Sequence, residues 1–277
     1  MFQFFLQNED IQMKKDRHAK IIEILENQMV CTPAELADNL NCSEMTIRRD
    51  LNELESMQLI RRKHGCAFLR KSTKPSYFHE QLDERQYEKE AIAKAAMRFV
   101  HPYSVICIDS GTTAHTLCRF LPDNIPLSVI TSNLMTAVEL ANKENIQTYV
   151  IGGMLYHRAR AIMTESIDML EQHPADVAFI SARAFRIPGG AFEHTYPLVE
   201  TKKALASIAK KVVLLIDYTK CEHTSLCNSI PLNQIDTIIT DNKTSSEIIK
   251  KAVGLKKEVI VVDPVSGEIE HHYNKIQ

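Results

Sequence analysis

The sequence predicts an α/β protein in two parts: an N-terminal winged helix-turn-helix domain and a larger parallel-sheet α/β domain. Two observations point there. Residues 17–69 hold three helix-periodic segments with capping signals, followed by two short apolar runs around a turn. From about residue 104, Val- and Ile-rich runs alternate with helical segments, as parallel strands covered on both faces do. The expected divisions are 13–69 for the first domain, 70–97 for a linker and connecting helix, and 98–277 for the second domain.

Each element has a local reason. Residues 17–28, RHAKIIEILENQ, place Ile21, Ile22, Ile24 and Leu25 at helical spacing. Thr32-Pro33-Ala34-Glu35 is the clearest helix start: Thr32 caps, Glu35 reaches back, and Pro33 suits the first position. Leu36, Ala37 and Leu40 of this short helix point inward, and Asn41-Cys42 make the turn. Ser43 caps a third helix running to about Gln58, with Ile47, Leu51 and Leu54 as its buried stripe. Two apolar runs between Leu59 and Leu69 flank Lys63-His64-Gly65 and predict a β-hairpin. Residues 70–77, RKSTKPSY, read as the linker, and the charged stretch from about Phe78 to Met97 as the connecting helix. Beyond it, seven runs predict strands: 104–109, 127–131, 146–151, 176–181, 211–217, 236–240 and 258–262.

Bulk composition narrows the function classes. The 277 residues are 44% hydrophobic and 25% charged, enough for a real core. The net charge of −2 gives no general attraction to polyanions, so any nucleic-acid contact needs a local basic patch. The seven cysteines, at 31, 42, 66, 107, 118, 221 and 227, form no CxxC pair. They predict reduced thiols in a cytoplasmic protein, not a disulfide framework or zinc ribbon. The apolar start Met1–Leu6 is too short for a membrane span and lacks the basic opening of a signal peptide. Met13-Lys-Lys-Asp-Arg reads as the more natural start, with residues 1–12 either a disordered extension or a mis-assigned start.

The basic patch is present. Opposite its buried stripe the third helix presents Met45, Arg49 and Asn52, flanked by Ser43, Thr46 and Arg48. Arginines and small hydroxyls near a helix N-terminus suit the major groove of double-stranded DNA, where arginine pairs bidentately with guanine. The hairpin adds Arg61, Arg62, Lys63 and His64, with Arg70 and Lys71 after it, and no acidic residue falls between 60 and 71. Residues 17–69, above all SEMTIRRDLNELE and the Arg-Lys-His-Gly wing, resemble the DeoR family of sugar-metabolism regulators. The family's wing usually reads His-Gly-Gly; here the last position is Cys66.

The second domain offers an anion site. Asp109-Ser110-Gly111-Thr112-Thr113 follows the first strand and opens a helix, leaving backbone N–H groups and hydroxyls for an anion. Ligands in open α/β sheets sit at the carboxyl ends of strands. Other strand ends there supply Thr131-Ser132-Asn133, Gly152-Gly153 and Asp217 to Lys220, and Lys202 at a helix start adds charge. The segments IDSGTT, TSN, VIGG, ETKKAL and IDYTK, in that order across about 78–241, again resemble the DeoR family. The resemblance implies an effector domain similar in fold to phosphosugar isomerases such as ribose-5-phosphate isomerase, with a phosphorylated sugar or related metabolite as effector. It carries a phosphate-binding role onto Ser110, Gly111, Thr112 and Thr113, and a ligand role onto Lys202 and Lys220. Where the family has a Gly-containing loop this chain has Ala182-Arg183-Ala184-Phe185, so Arg183 either binds an extra charge or blocks part of the pocket. His194 and His223 fall in loops within reach of such a ligand, whereas His271-His272 lacks partner ligands and reads as a solvated tail. No metal, cofactor or catalytic constellation is expected.

The leading expectation is a ligand-gated repressor of a sugar operon, acting as a homodimer or higher form because such motifs bind paired half-sites. The alternative is a sugar-phosphate isomerase-type enzyme carrying a DNA module, which would need a positioned acid and base besides the anion cradle. A third reading is a nucleic-acid-binding module with a purely structural partner domain.

Overall fold

The computed structural model describes residues 14, 17–18, 20–22, 24–25, 30–56, 60–63, 65–69, 77–164, 170, 172–223 and 225–274. They divide into two compact units, Met1–Pro75 and Ser76–Gln277.

In the first unit α1 comprises the described helical residues between 14 and 25. Then follow β1 (Val30–Cys31), α2 (Pro33–Leu40), α3 (Glu44–Ser56), β2 (Ile60–Lys63) and β3 (Cys66–Leu69). The capping box forms as the sequence predicts: the Thr32 hydroxyl accepts from the Glu35 N–H, and Glu35 accepts from the Thr32 N–H at 2.8 Å. Ile21, Leu25, Leu36, Ile47, Leu51 and Leu54 meet in one core. Beside it Arg17 grips the buried carboxylate of Asp50 at 2.5 and 3.1 Å, fastening α1 to α3. The hairpin turns at Gly65, whose φ of +79° suits glycine. Its sheet has a third strand that the sequence did not suggest, because β1 pairs with β3 over only two residues, too few for an alternating pattern.

The second unit is built on one eight-stranded sheet. Its strands are β4 (Val105–Ile108), β5 (Leu127–Thr131), β6 (Ile146–Val150), β9 (Ala175–Ser181), β12 (Ala209–Leu215), β14 (Thr237–Asp241), β15 (Glu258–Val262) and β16 (Ile269–Tyr273). Their order is β16-β15-β14-β12-β9-β4-β5-β6. The seven predicted runs give the seven parallel strands. Alternate residues serve two cores: Cys107, Ala178, Ile180 and Leu214 face one side, and Ile106, Ile108, Phe179 and Leu215 the other. The antiparallel edge strand β16 was illegible because IEHHY is exposed along its whole length and has no apolar run. Two smaller sheets were also missed. One is β7 (Met154–Tyr156) with β8 (Ala161–Met163), and the other joins β10 (Ala184–Arg186), β11 (Gly190–Glu193) and β13 (Cys227–Pro231).

The expected connecting helix is two helices, α4 (Tyr77–Asp83) and α5 (Gln86–Ala96), broken at Arg85 with φ +51°. α5 buries Ala91, Ile92, Ala93, Ala95 and Ala96 against the second unit's own core. The charges at 83–90 had hidden this alanine-rich face. Later come α6 (Thr112–Thr116), α7 (Leu134–Leu140), α8 (Tyr196–Ser207) and α9 (Ser246–Gly254). The linker residues 70–76 lie outside the described residues. No disulfide links the cysteines, and no described helix is long and apolar enough to cross a membrane.

Candidate functional site

In the first unit α3 presents the expected face. Ile47 and Leu51 are fully buried and Leu54 nearly so, while Met45 is 67% exposed and Arg49 and Asn52 are exposed beside it. Ser43 caps the helix, its Oγ accepting from the Thr46 N–H at 3.1 Å and lying 2.8 Å from the Thr46 hydroxyl. The two arginines differ. Arg48 donates to Glu44 Oε1 at 2.6 and 3.0 Å one turn away, whereas Arg49 makes no ion pair among the described residues. Arg61 is exposed on β2. The Arg62 guanidinium donates to the Asn52 side-chain oxygen, and the Arg62 backbone N–H donates to Glu55 Oε1 at 2.9 Å, tying the wing to α3. His64 and the Lys63 side chain fall outside the described residues.

In the second unit a pocket opens at the carboxyl ends of β4 and β9. The Ser110–Thr113 segment forms one wall, and Lys202 of α8 and Lys220 line it as well. Phe78 and Gln81 of α4, Arg85 at the break and Lys89 of α5 complete it, together with Arg183 and His194. None of these four residues, Phe78 to Lys89, was singled out from the sequence, because they precede the first sheet strand. A lysine on the buried alanine face of α5 was the available signal.

Lys202 lies inside α8 and not at its start, because Pro197 in the first turn lets the helix begin earlier, after Thr195. Its Nζ is fully enclosed: it donates to Asp109 and to the Ser181 carbonyl at 2.9 Å, and Glu193 lies at 3.2 Å. Burial alone would push the Asp109 carboxyl up. The Lys202 charge and two hydrogen bonds from Ser181, at 2.6 and 3.1 Å, outweigh it and hold Asp109 below the usual carboxylate range. Burial opposes the charge on Lys202 too, but Asp109 and Glu193 raise it above the ordinary lysine value. Asp109 thus sits behind the pocket wall as an internal counter-ion.

Lys89 is different. Its Nζ donates to the backbone carbonyls of Gln81 and Glu84, near the end of α4, and among the described residues no carboxylate is bonded to it. Burial, joined by repulsion from Lys220 and Arg85, brings it down to about 8. Lys220 is likewise lowered, first by burial and then by Arg85 and Arg183. For both lysines the buried Asp217 carboxylate pulls the other way, and it is the larger charge effect.

The remaining candidates lie elsewhere. Thr131 donates to the Ile108 carbonyl at 2.7 Å, and Asn133 caps α7 while donating to the Ser110 carbonyl at 2.7 Å. Both brace the loop from behind, with Ser132 buried between them. Gly152 and Gly153 line a separate groove with Tyr149 and Met154. Asp217 is buried beneath the pocket, 3.6 Å from Arg85 and 3.8 Å from Lys220. His223 lines an adjoining hollow. His272 is on β16, 2.9 Å from Glu258, and no group of described residues assembles a metal site.

Comparison with known sequences settles the lineage. The DeoR-like helix-turn-helix domain matches residues 17–73, and the DeoR C terminal sensor domain matches 84–242, more than half the chain. The chain belongs to the DeoR family. Among its DeoR relatives, the HTH-type transcriptional regulator GolR of Listeria innocua is 35% identical over 85% of this chain and 94% of its own. The Glycerol-3-phosphate regulon repressor of Escherichia coli is 31% identical over 81% of this chain and 90% of its own. Ribose 5-phosphate isomerase A of Methanocaldococcus jannaschii overlaps 48% of this chain and 53% of its own, with 19% identity and a TM-score of 0.37. The protein is therefore a transcriptional regulator of the DeoR type, with a helix-turn-helix unit and a sensor unit.

Proposed function

We propose that this regulator is a repressor of a carbohydrate operon, that it binds operator DNA through α3 and the wing, and that a phosphorylated sugar in the sensor pocket controls it. The observation that carries this is the lining of that pocket. Ser110–Thr113 line one hollow together with Lys89, Arg85, Arg183 and Lys220. Backbone N–H groups, hydroxyls and cations together fit a phosphate, and the sugar hydroxyls would meet Gln81 and His194.

A sensor suits the pocket better than an isomerase. Proton transfer at a sugar carbon needs a base that reaches the substrate, and a carboxylate is one choice. Of the carboxylates near the pocket, Asp109 and Glu193 are locked against Lys202 and held low, and Asp217 is buried and spends one oxygen on the Thr219 N–H at 2.9 Å. The names of the curated relatives, regulators and repressors, also favour sensing without turnover. The working form would be a cytoplasmic homodimer or larger oligomer, since half-sites one helical turn apart need two reading helices.

The test is operator affinity measured with and without a panel of phosphosugars, followed by a product assay on any sugar that binds. Binding that changes operator affinity without forming product supports the proposal. Turnover, or the absence of any effect on DNA binding, contradicts it.

A further inference from the structure

Lys89 lines the pocket together with Ser110–Thr113, yet its ammonium is already in use. A lysine ammonium carries three N–H groups. Here the carbonyls of Gln81 and Glu84 each accept one, and the Leu82 carbonyl lies at 3.4 Å, in reach of the third. The donors are thus spent on the C-terminal end of α4 and the turn after it, where helix carbonyls lack partners of their own. To donate to an anion in the pocket, the ammonium must let go of at least one of these carbonyls.

α4 depends on that grip. At seven residues it is too short to hold its shape unaided. A second anchor is the buried Phe78, whose ring meets His115 of α6 edge-on at 5.3 Å. Between α4 and α5 the chain turns at Arg85 with φ +51°, a conformation uncommon for a residue other than glycine. Both helices pack on α6, which Thr112 of the anion loop opens. Glu84 is exposed and Gln81 and Leu82 half-buried, so water is at hand for the carbonyls that Lys89 gives up.

The place of α4 in the chain gives its hold a consequence. The first unit ends at Pro75 and the second begins at Ser76, so α4 is the first helix after the junction. Moving α4 moves the point at which the DNA-reading unit is tethered. Phe78 and Gln81 line the pocket from this same helix.

We propose that Lys89 is the coupling residue of this regulator: an effector phosphate takes its ammonium from the α4 carbonyls, and the released helix passes the signal to the junction. The inference rests on the phosphosugar reading and adds how that site would act on DNA binding. A phosphate dianion competes well for the ammonium, since it pairs charge with charge where a carbonyl offers a dipole.

The experiment is hydrogen exchange of the full chain, read by mass spectrometry, in inorganic phosphate, in glucose 6-phosphate and in sodium chloride of matched ionic strength. Either phosphate probe should slow exchange at residues 110–116 and speed it at 81–84 by about tenfold, the scale of a lost hydrogen bond. Lys89→Met without any probe should already exchange fast at 81–84, and neither probe should raise it further. Its operator affinity without a probe should differ from wild type by about fivefold or more. Slowing at 110–116 with exchange at 81–84 unchanged or also slowed overturns the inference and leaves the phosphosugar reading standing. Fast exchange at 81–84 in Lys89→Met with wild-type operator affinity overturns it as well. If neither probe slows exchange at 110–116, the phosphosugar reading falls and takes the inference with it. Exchange in β9 and β12 reports whether the variant is folded, and if it is not, the wild-type comparison decides alone.

Discussion

A Cβ placed on Gly111 would lie 1.8 Å from the Ser181 hydroxyl oxygen and 2.8 Å from the Ser181 Cβ. Ser181 is not free to retreat, because its hydroxyl and N–H both donate to Asp109. Glycine is therefore required by the packing behind the loop before any ligand arrives. Gly111→Ala should cost about 1–3 kcal/mol, as overpacked sites do, and the double variant Gly111→Ala/Ser181→Gly should recover part of it. Denaturant unfolding of both variants checks this; an unchanged midpoint for Gly111→Ala would contradict the close approach.

Lys202→Met should be more damaging. It leaves Asp109 and Glu193 buried without their cation, a change of about 3–5 kcal/mol in comparable buried pairs. The sign of its pH dependence follows from the wild-type groups. Both carboxyls are held below their usual range, so they stabilise the fold above the unfolded carboxylate range and lose that contribution as the pH falls through their folded values. The gap between wild type and Lys202→Met should accordingly narrow in acid. A gap of constant size from about pH 5 down to about pH 2 would argue against the buried triad.

Arg49 and Arg48 should separate cleanly in operator binding. Arg49→Ala is expected to cost about 1–3 kcal/mol if it reads a base. Arg48→Ala should cost less, because its guanidinium is already shared with Glu44. Binding isotherms on one operator at fixed salt give the comparison, and equal losses would deny Arg49 its special place.

Lys89 predicts two opposite pH effects. Its value of about 8 lies below the ordinary 10.5. Between these values the unfolded chain binds more protons, so unliganded stability should rise with pH across that window. Phosphosugar affinity should fall over the same window as Lys89 loses its charge. A sugar phosphate is already dianionic there, with a second pKa near ~6, so the fall belongs to the protein. Lys89→Met should flatten both trends; affinity equal at pH 7 and pH 9 in wild type would exclude Lys89 as a phosphate contact.

The legible parts of this protein were those with strong local signals. The Thr32–Glu35 cap, the Ile47/Leu51/Leu54 stripe and the seven apolar strands each follow from a short stretch of chain. What stayed hidden depends on pairs distant in sequence. Nothing near Lys202 announces that Asp109, 93 positions earlier, will neutralise it. Nothing near Lys89 says that its helix folds back to roof a pocket built from later strands. The same holds for Thr131–Asn133 and Gly152–Gly153: they do lie at strand ends, yet three-dimensional placement sends one group behind the loop and the other to a different groove.

The hydrogen bond between Arg62 and Asn52 joins a wing strand to the exposed face of α3. In descent from a common ancestor these two positions would not change independently. A substitution at Asn52 that altered operator preference would also release the Arg62 guanidinium toward the phosphates, raising affinity for DNA of any sequence. A regulator acquiring a new operator by that route would pass through a less selective intermediate, and a compensating replacement at position 62 would restore discrimination.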